Sequence, residues 1–196
     1  MNSSERVAKA FEHFDKANSN DPNSENHNGQ EYAKEVLYAI RMTDTLTNFA
    51  PTAPETLQLT ARCQHICRWQ IPRDSYPMNR VGYLQWRQDL KKFHVKKASE
   101  ILSEVGYGED VIAKVGFLLE KKQLKKNKDT QTLEDVICLV FLEHYFEAFA
   151  QKHAEDKIIV VLQKTWRKMS KKGQEAALSL PLSKSTLALV TKAVLG

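Results

Sequence analysis

Residues 136–142 read Val-Ile-Cys-Leu-Val-Phe-Leu, an unbroken run of apolar side chains. Apolar on every side, such a run marks a helix buried all round rather than one lying on a surface. A chain that encloses it needs further helices, each with one apolar face, and the flanking segments supply them. Val7, Ala10, Phe11 and Phe14 recur at spacings of three and four within residues 4–17. Leu37, Ile40 and Met42 fall on or near one face of a second helix over 31–49. Pro51 and Pro54 then punctuate, and Pro54-Glu55 suits the start of a third helix reaching about residue 70. A two-proline loop over 71–79 precedes a long helix over 80–105, which Gly106 and Gly108 stop. Helices follow over 109–122, 130–153, 156–169, 174–180 and 183–195. Residues 18–29, NSNDPNSENHNG, read as a flexible polar loop. No segment shows convincing period-two alternation and none repeats. Seven Gly and six Pro are too few for a turn-rich sandwich or barrel. The expectation is a single all-α domain spanning 1–196, with eight or nine helices.

The chain is long enough to bury a core without staples. No apolar run approaches the ~20 residues that cross a bilayer, and the N-terminus lacks the basic and apolar regions of a secretory signal. Three Cys, an odd number, argue against a disulfide framework and for a reducing compartment, here the cytoplasm. The absence of G-x-G-x-x-G, a Walker A loop and G-x-S-x-G removes several nucleotide-binding and hydrolase classes. Gly106-Tyr107-Gly108 reads as a helix–helix turn instead. Cys63 and Cys67 lie one helical turn apart, with Cys138 remote, and read as buried apolar groups rather than zinc ligands.

The basic residues are segregated by type. Between Val36 and Leu90 stand six arginines (41, 62, 68, 73, 80 and 87) and no lysine, although the net charge is +5 and lysine dominates elsewhere. Lysine and arginine serve solubility equally, but only guanidinium gives planar bidentate recognition or stacks on rings. Arg41, Arg68, Arg73 and Arg87 are therefore candidates for holding phosphate or carboxylate, with Trp69, Tyr83 and Trp86 as stacking surfaces. Arginine–carboxylate pairs that fasten helices explain the same pattern, and both readings stay open.

His94 shares a helical stripe with Leu90, Ala98 and Ile101, and Asp135 stands on the stripe of Cys138, Leu139 and Leu142. A carboxylate there is costly unless it is paired, hydrogen-bonded or bound to a metal. His65 completes the set of interest.

The segment HVKKASEILSEVGYGEDVIAKVGFLLEKK, from His94 to Lys122, is similar to the stretch that follows the metal-binding dipeptide of HD-domain phosphohydrolases. In order and spacing the similarity extends over about residues 31–150. It places Tyr38-Ala39-Ile40-Arg41-Met42 at the family's opening motif, His65-Ile66 at the HD dipeptide and Asp135 at the distal aspartate. The opening His is thus Tyr38 here, and the dipeptide's Asp is Ile66. The resemblance implies an HD-like helical core with His65, His94 and Asp135 holding a divalent metal (Mn, Fe, Ni or Zn), and Glu35 or Glu120 as substitutes. A catalytic metal ordinarily takes three or more protein ligands. Over nearly the whole chain from Glu31, the runs QHICRWQIPRDSYPMNRVGYLQWR, TLEDVICLVFLEHYF and KTWRKMSKKG resemble a widespread family described only as a domain of unknown function. Its members sometimes carry a glutamyl-tRNA synthetase label. Lys168-Met169-Ser170-Lys171-Lys172 resembles the KMSKS loop of class I synthetases, yet the chain has no HIGH motif and no Rossmann domain. That run reads as a helix end whose cations complement terminal carbonyls.

Two functions follow as expectations. One is a metal-dependent phosphohydrolase acting on a small phosphorylated metabolite or nucleotide. There the metal activates water, Arg41, Arg68, Arg73 and Arg87 neutralise phosphate, Glu120 assists, and Lys164 stands at the rim. The other is a non-catalytic module that grips an anion or nucleotide on a scaffold whose metal site has decayed. Residues 121–128, KKQLKKNK, lack an aromatic residue and read as a solvated connector, so neither nucleic acid nor membrane is an expected partner. A homodimer is left open.

Overall fold

Asparagine and serine side chains set several helix starts. Asn2 opens α1 (Ser3–Asn18) in a reciprocal capping box with Glu5. Asn79 accepts from the Gly82 amide at the start of α4 (Arg80–Val105), Asn127 from Thr130 at α6 (Lys128–Val140), and Ser170 from Gly173 at α9 (Lys171–Leu178). Each bond satisfies an amide that the first helical turn leaves without a partner. The computed structural model describes residues 2–195, and among them the chain forms ten α-helices and one two-stranded sheet, so the all-α reading holds. No helix among the described residues is long and apolar enough to cross a membrane.

The chain divides into two compact units, Met1–Asp44 with Thr52–Lys122 and Thr45–Pro51 with Gln123–Gly196. The first holds α1, a β-hairpin of β1 (Ser24–His27) and β2 (Gln30–Ala33), most of α2 (Lys34–Phe49), α3 (Glu55–Arg62), α4 and α5 (Glu109–Leu119). Its core gathers Phe14, Leu59, Cys63, Ile66, Leu102 and Val115. Gly106, at φ 90°, ends α4 and Gly108 opens α5, as the sequence indicates. The second unit holds α6, a π-helical turn (Phe141–Tyr145), α7 (Phe146–Ala150), α8 (Glu155–Lys168), α9 and α10 (Lys184–Leu195). Cys138, Leu142, Phe146, Leu162, Met169 and Val190 form its core.

Three segments differ from the sequence reading. The stretch read as a polar loop carries the hairpin, in which His27 pairs with Gln30 across the two-residue turn Asn28-Gly29. Both turn residues have positive φ (53° and 80°), the conformation that Asn-Gly adopts most readily in such turns. The third helix stops at Arg62, and the chain turns at Cys67, which is left-handed at φ 50°, ψ 33°. The helix read over 130–153 is interrupted by the π turn, beside which Phe141, Phe146 and Phe149 meet within 5.9–6.5 Å.

Candidate anion-binding cluster

In the first unit, α2 begins where Asp21 Oδ2 accepts the Glu35 amide at 3.2 Å. Asn18, at the end of α1, ties this start to the turn after α3. Its Nδ2 donates to the Glu35 carbonyl (3.4 Å) and its Oδ1 accepts the Cys67 amide (2.9 Å). Asn18 is 1% exposed, so both bonds are shielded from water. A left-handed non-glycine residue costs about 1–2 kcal/mol, and the Asn18 bond helps to hold Cys67 in that state.

These constraints bring His65 between α2 and α4. Tyr38 stacks on its ring at 4.0 Å between centroids, and the His94 ring lies 6.0 Å away. The Glu35 carboxyl approaches with Oε2 3.4 Å from His65 Nδ1. Arg68 Nη1 lies 3.3 and 3.2 Å from the two ring nitrogens of His65, and its guanidinium sits over the Trp86 ring at 5.2 Å. The His65 side chain is 21% exposed, enough for a ligand to touch it.

Burial, followed by the positive charges of Arg68, Lys121, Lys34 and Arg87, holds His65 well below the usual histidine range. Burial raises Glu35, against the pull of Arg68, Lys34 and His94. Burial and the His65 ring push His94 down to about 3, while its bond to the Ile66 carbonyl acts in the opposite sense. His94 is therefore neutral, with Nδ1 donating to Ile66 O at 2.9 Å and Nε2 left as the ring's acceptor. The cluster thus combines two neutral imidazoles, one carboxyl of weakened acidity and four cations. Negative charge placed there would favour protonated His65.

Of the arginines, Arg68 and Arg87 act on His65, and Arg87 also sits 5.8 Å from the Tyr83 ring centre. Arg41 is buried and bonds Glu25 Oε1 at 2.6 Å, on the hairpin face that also carries His27. Arg73 donates to the carbonyls of Tyr76, Pro77 and Asn79 and so pins the loop before α4. Trp86 is buried and donates to the Ile71 carbonyl at 2.9 Å, Trp69 packs against the first core, and Tyr83 is exposed. Glu120 pairs with Lys122, and Lys164 is exposed on α8 in the second unit.

Asp135 belongs to α6, in the second unit. It accepts from Ser170 N (2.8 Å), Ser170 Oγ (2.6 Å) and Gln131 Nε2 (3.1 Å), and a Cβ at Gly173 would lie 2.6 Å from its Oδ1. The carboxylate thereby holds the junction where Lys168 ends α8 and Lys171 begins α9, which accounts for the KMSKK run. Among the described residues no three His, Cys, Asp or Glu groups stand where they could hold one metal ion. With Ile66 buried in the core and the Asp135 oxygens occupied by Ser170 and Gln131, the donor set does not fit a divalent-metal centre. The three cysteines are buried and form no disulfide among the described residues.

Sequence reasoning named Glu35 only as a substitute ligand, passed over Lys34 and Asn18, and read Lys121 as part of a solvated connector. Lys34-Glu35 at the opening of a helix was the available signal for the first. Nothing local marks Asn18, whose partners are 17 and 49 residues away.

The model of a domain of unknown function (DUF4202) matches residues 8–190, and the chain is a member of that family. No curated protein and no solved structure matches it.

Proposed function

We propose that this chain binds a small phosphorylated or similarly multivalent anion, such as a nucleotide, at the His65 cluster. The observation that carries this reading is the Arg68 guanidinium 3.2–3.3 Å from the ring nitrogens of His65, whose side chain is 21% exposed, with the positive charges of Lys121, Lys34 and Arg87 acting on the same ring. Arg68 offers guanidinium N–H groups beside that ring, and charge-assisted bonds of this type contribute about 1.5–3 kcal/mol each. Isothermal titration with inorganic phosphate, pyrophosphate and nucleoside mono- and triphosphates tests it. Binding of at least one of these, weakened roughly 10- to 100-fold by Arg68→Gln, is the expected outcome. No binding by any of them refutes the proposal.

A second reading, hydrolysis of the bound phosphate ester, is favoured by the 3.4 Å approach of the Glu35 carboxyl to His65. A carboxyl of raised pKa beside a neutral imidazole is a pair suited to moving a proton to or from attacking water. Phosphate release from the ligands that bind, abolished by Glu35→Gln with binding retained, supports catalysis. Binding without release assigns the site to recognition alone.

A further inference from the structure

The six arginines between Val36 and Leu90 divide by what their guanidinium groups meet. Arg41 pairs with Glu25, Arg62 with Asp15, and Arg73 donates to three backbone carbonyls, while Arg80 is exposed. Arg68 and Arg87 bond no carboxylate or carbonyl among the described residues. Each lies by an aromatic ring of α4 instead, Arg68 at 5.2 Å from the Trp86 ring centre and Arg87 at 5.8 Å from that of Tyr83. A guanidinium placed along a ring still presents its N–H edge to an oxyanion.

The two rings differ in what they leave open. Trp86 is buried, with its indole N–H on the Ile71 carbonyl, so it is a wall of the cluster. Tyr83 lies 5.9 Å from it, is 42% exposed, and has no hydrogen bond from its hydroxyl among the described residues. Tyr83, Arg87 and His94 fall on one side of α4, at positions i, i+4 and i+11. At 1.5 Å per residue, Tyr83 stands about 16 Å along the helix from His94, and Arg87 about 10 Å from it. The His94 ring is 6.0 Å from that of His65, and Arg68 bridges the gap, with Nη1 at His65 and its guanidinium by Trp86. One stripe therefore runs from the His65 cluster, past a cation whose charge is not neutralised, to an exposed ring. Bases stack on tyrosine rings and on guanidinium planes alike, so Tyr83 with Arg87 is a platform for one.

From this order of groups we infer that the anion held at His65 and Arg68 is the phosphate end of an elongated ligand, a nucleoside di- or triphosphate, whose base stacks on Tyr83 and Arg87. The inference rests on the reading of the His65 cluster as an anion site and names the ligand class of that site. Inorganic phosphate occupies one end of the stripe alone. An aryl monophosphate joins ring and phosphate too closely to reach both ends, whereas a sugar and a phosphate chain supply the spacing.

The test compares ligands that share a phosphate chain and differ in the ring. ATP, GTP, CTP, UTP and inorganic tripolyphosphate are titrated by calorimetry without divalent metal, beside phenyl phosphate and inorganic phosphate. At least one nucleotide is expected to bind tenfold or more tightly than tripolyphosphate, the size of one base–aromatic stack. Phenyl phosphate is expected to gain less than threefold over phosphate. Tyr83→Ala, at an exposed position, is expected to collapse the nucleotide-to-tripolyphosphate ratio to within threefold of one, and Tyr83→Phe to restore it. Unchanged helical circular dichroism confirms that both variants fold. Equal binding of nucleotides and tripolyphosphate by the wild type overturns this inference and leaves the anion site standing. A ratio that survives Tyr83→Ala, or a gain as large for phenyl phosphate, also overturns it by placing the ring elsewhere. No binding by any of these ligands overturns the anion site and this inference together.

Discussion

Replacing Asp135 separates its role as a structural anchor from that of a ligand. The carboxylate is 2% exposed and accepts three hydrogen bonds, two from Ser170 and one from Gln131. Each bond to a charged acceptor contributes about 1.5–3 kcal/mol, but three on one group do not add in full. Asp135→Ala leaves the Ser170 amide without its partner, and the Ser170 hydroxyl keeps only the Gly173 amide. The net loss expected is about 3–4 kcal/mol. In a chain of this length that corresponds to roughly 10 °C in Tm. Asp135→Asn keeps one acceptor oxygen and is expected to lose about half as much. Urea unfolding followed by far-ultraviolet circular dichroism and by Trp166 fluorescence measures the loss, since Trp166 packs against the core of the same unit. Phosphate binding by the folded variant is expected to match that of the wild type. A loss below about 1 kcal/mol, together with weakened phosphate binding, would refute the reasoning and return Asp135 to the site.

Three further outcomes follow from the same geometry. Asn18→Ala removes both buried bonds that tie Glu35 and Cys67 together, and should lower stability by about 2–3 kcal/mol in urea melts while weakening phosphate binding. Stability should fall as pH drops from about 6.5 toward 3, because His94 titrates near 3 when folded and near 6.5 when unfolded, so the unfolded chain binds more protons in that window. The slope from His94 reaches about 1.4 kcal/mol per pH unit, His65 acts in the same sense and Glu35 in the opposite one, and His94→Gln should flatten it. Metal analysis by ICP-MS on protein purified without chelator should find no stoichiometric Mn, Fe, Ni or Zn, and Asp135→Ala should leave that result unchanged.

The helical architecture was legible because its signals are local. Apolar residues at spacings of three and four, Gly106 after α4 and Pro54 before α3 act within one or two turns. The hairpin escaped because its strands, SENH and QEYA, carry little apolar alternation. Their alternation is polar, with Glu25 and His27 turned to Arg41, and the Asn28-Gly29 turn was the readable sign. At the site, the arginine-only stretch pointed to Arg68 and Arg87, whereas the charge pairing of Arg41 with Glu25 and of Arg62 with Asp15 is tertiary and leaves no local trace. Asp135 illustrates the limit of burial as a signal. Its stripe revealed that the carboxylate needed partners, but metal and backbone amides satisfy that need equally, and only the fold shows Ser170 beside it.

The most direct test is a titration of 15N-histidine-labelled protein with inorganic phosphate near pH 7, with the His65 signal assigned through His65→Gln. Burial, followed by the charges of Arg68, Lys121, Lys34 and Arg87, keeps the ring neutral; a bound anion offsets those charges, so phosphate is expected to move the His65 ring nitrogens toward the protonated pattern. His13, half-buried on α1, serves as the internal control. A His65 signal that stays fixed through the tens-of-millimolar range, or moves only in step with His13, would contradict an anion site at this cluster.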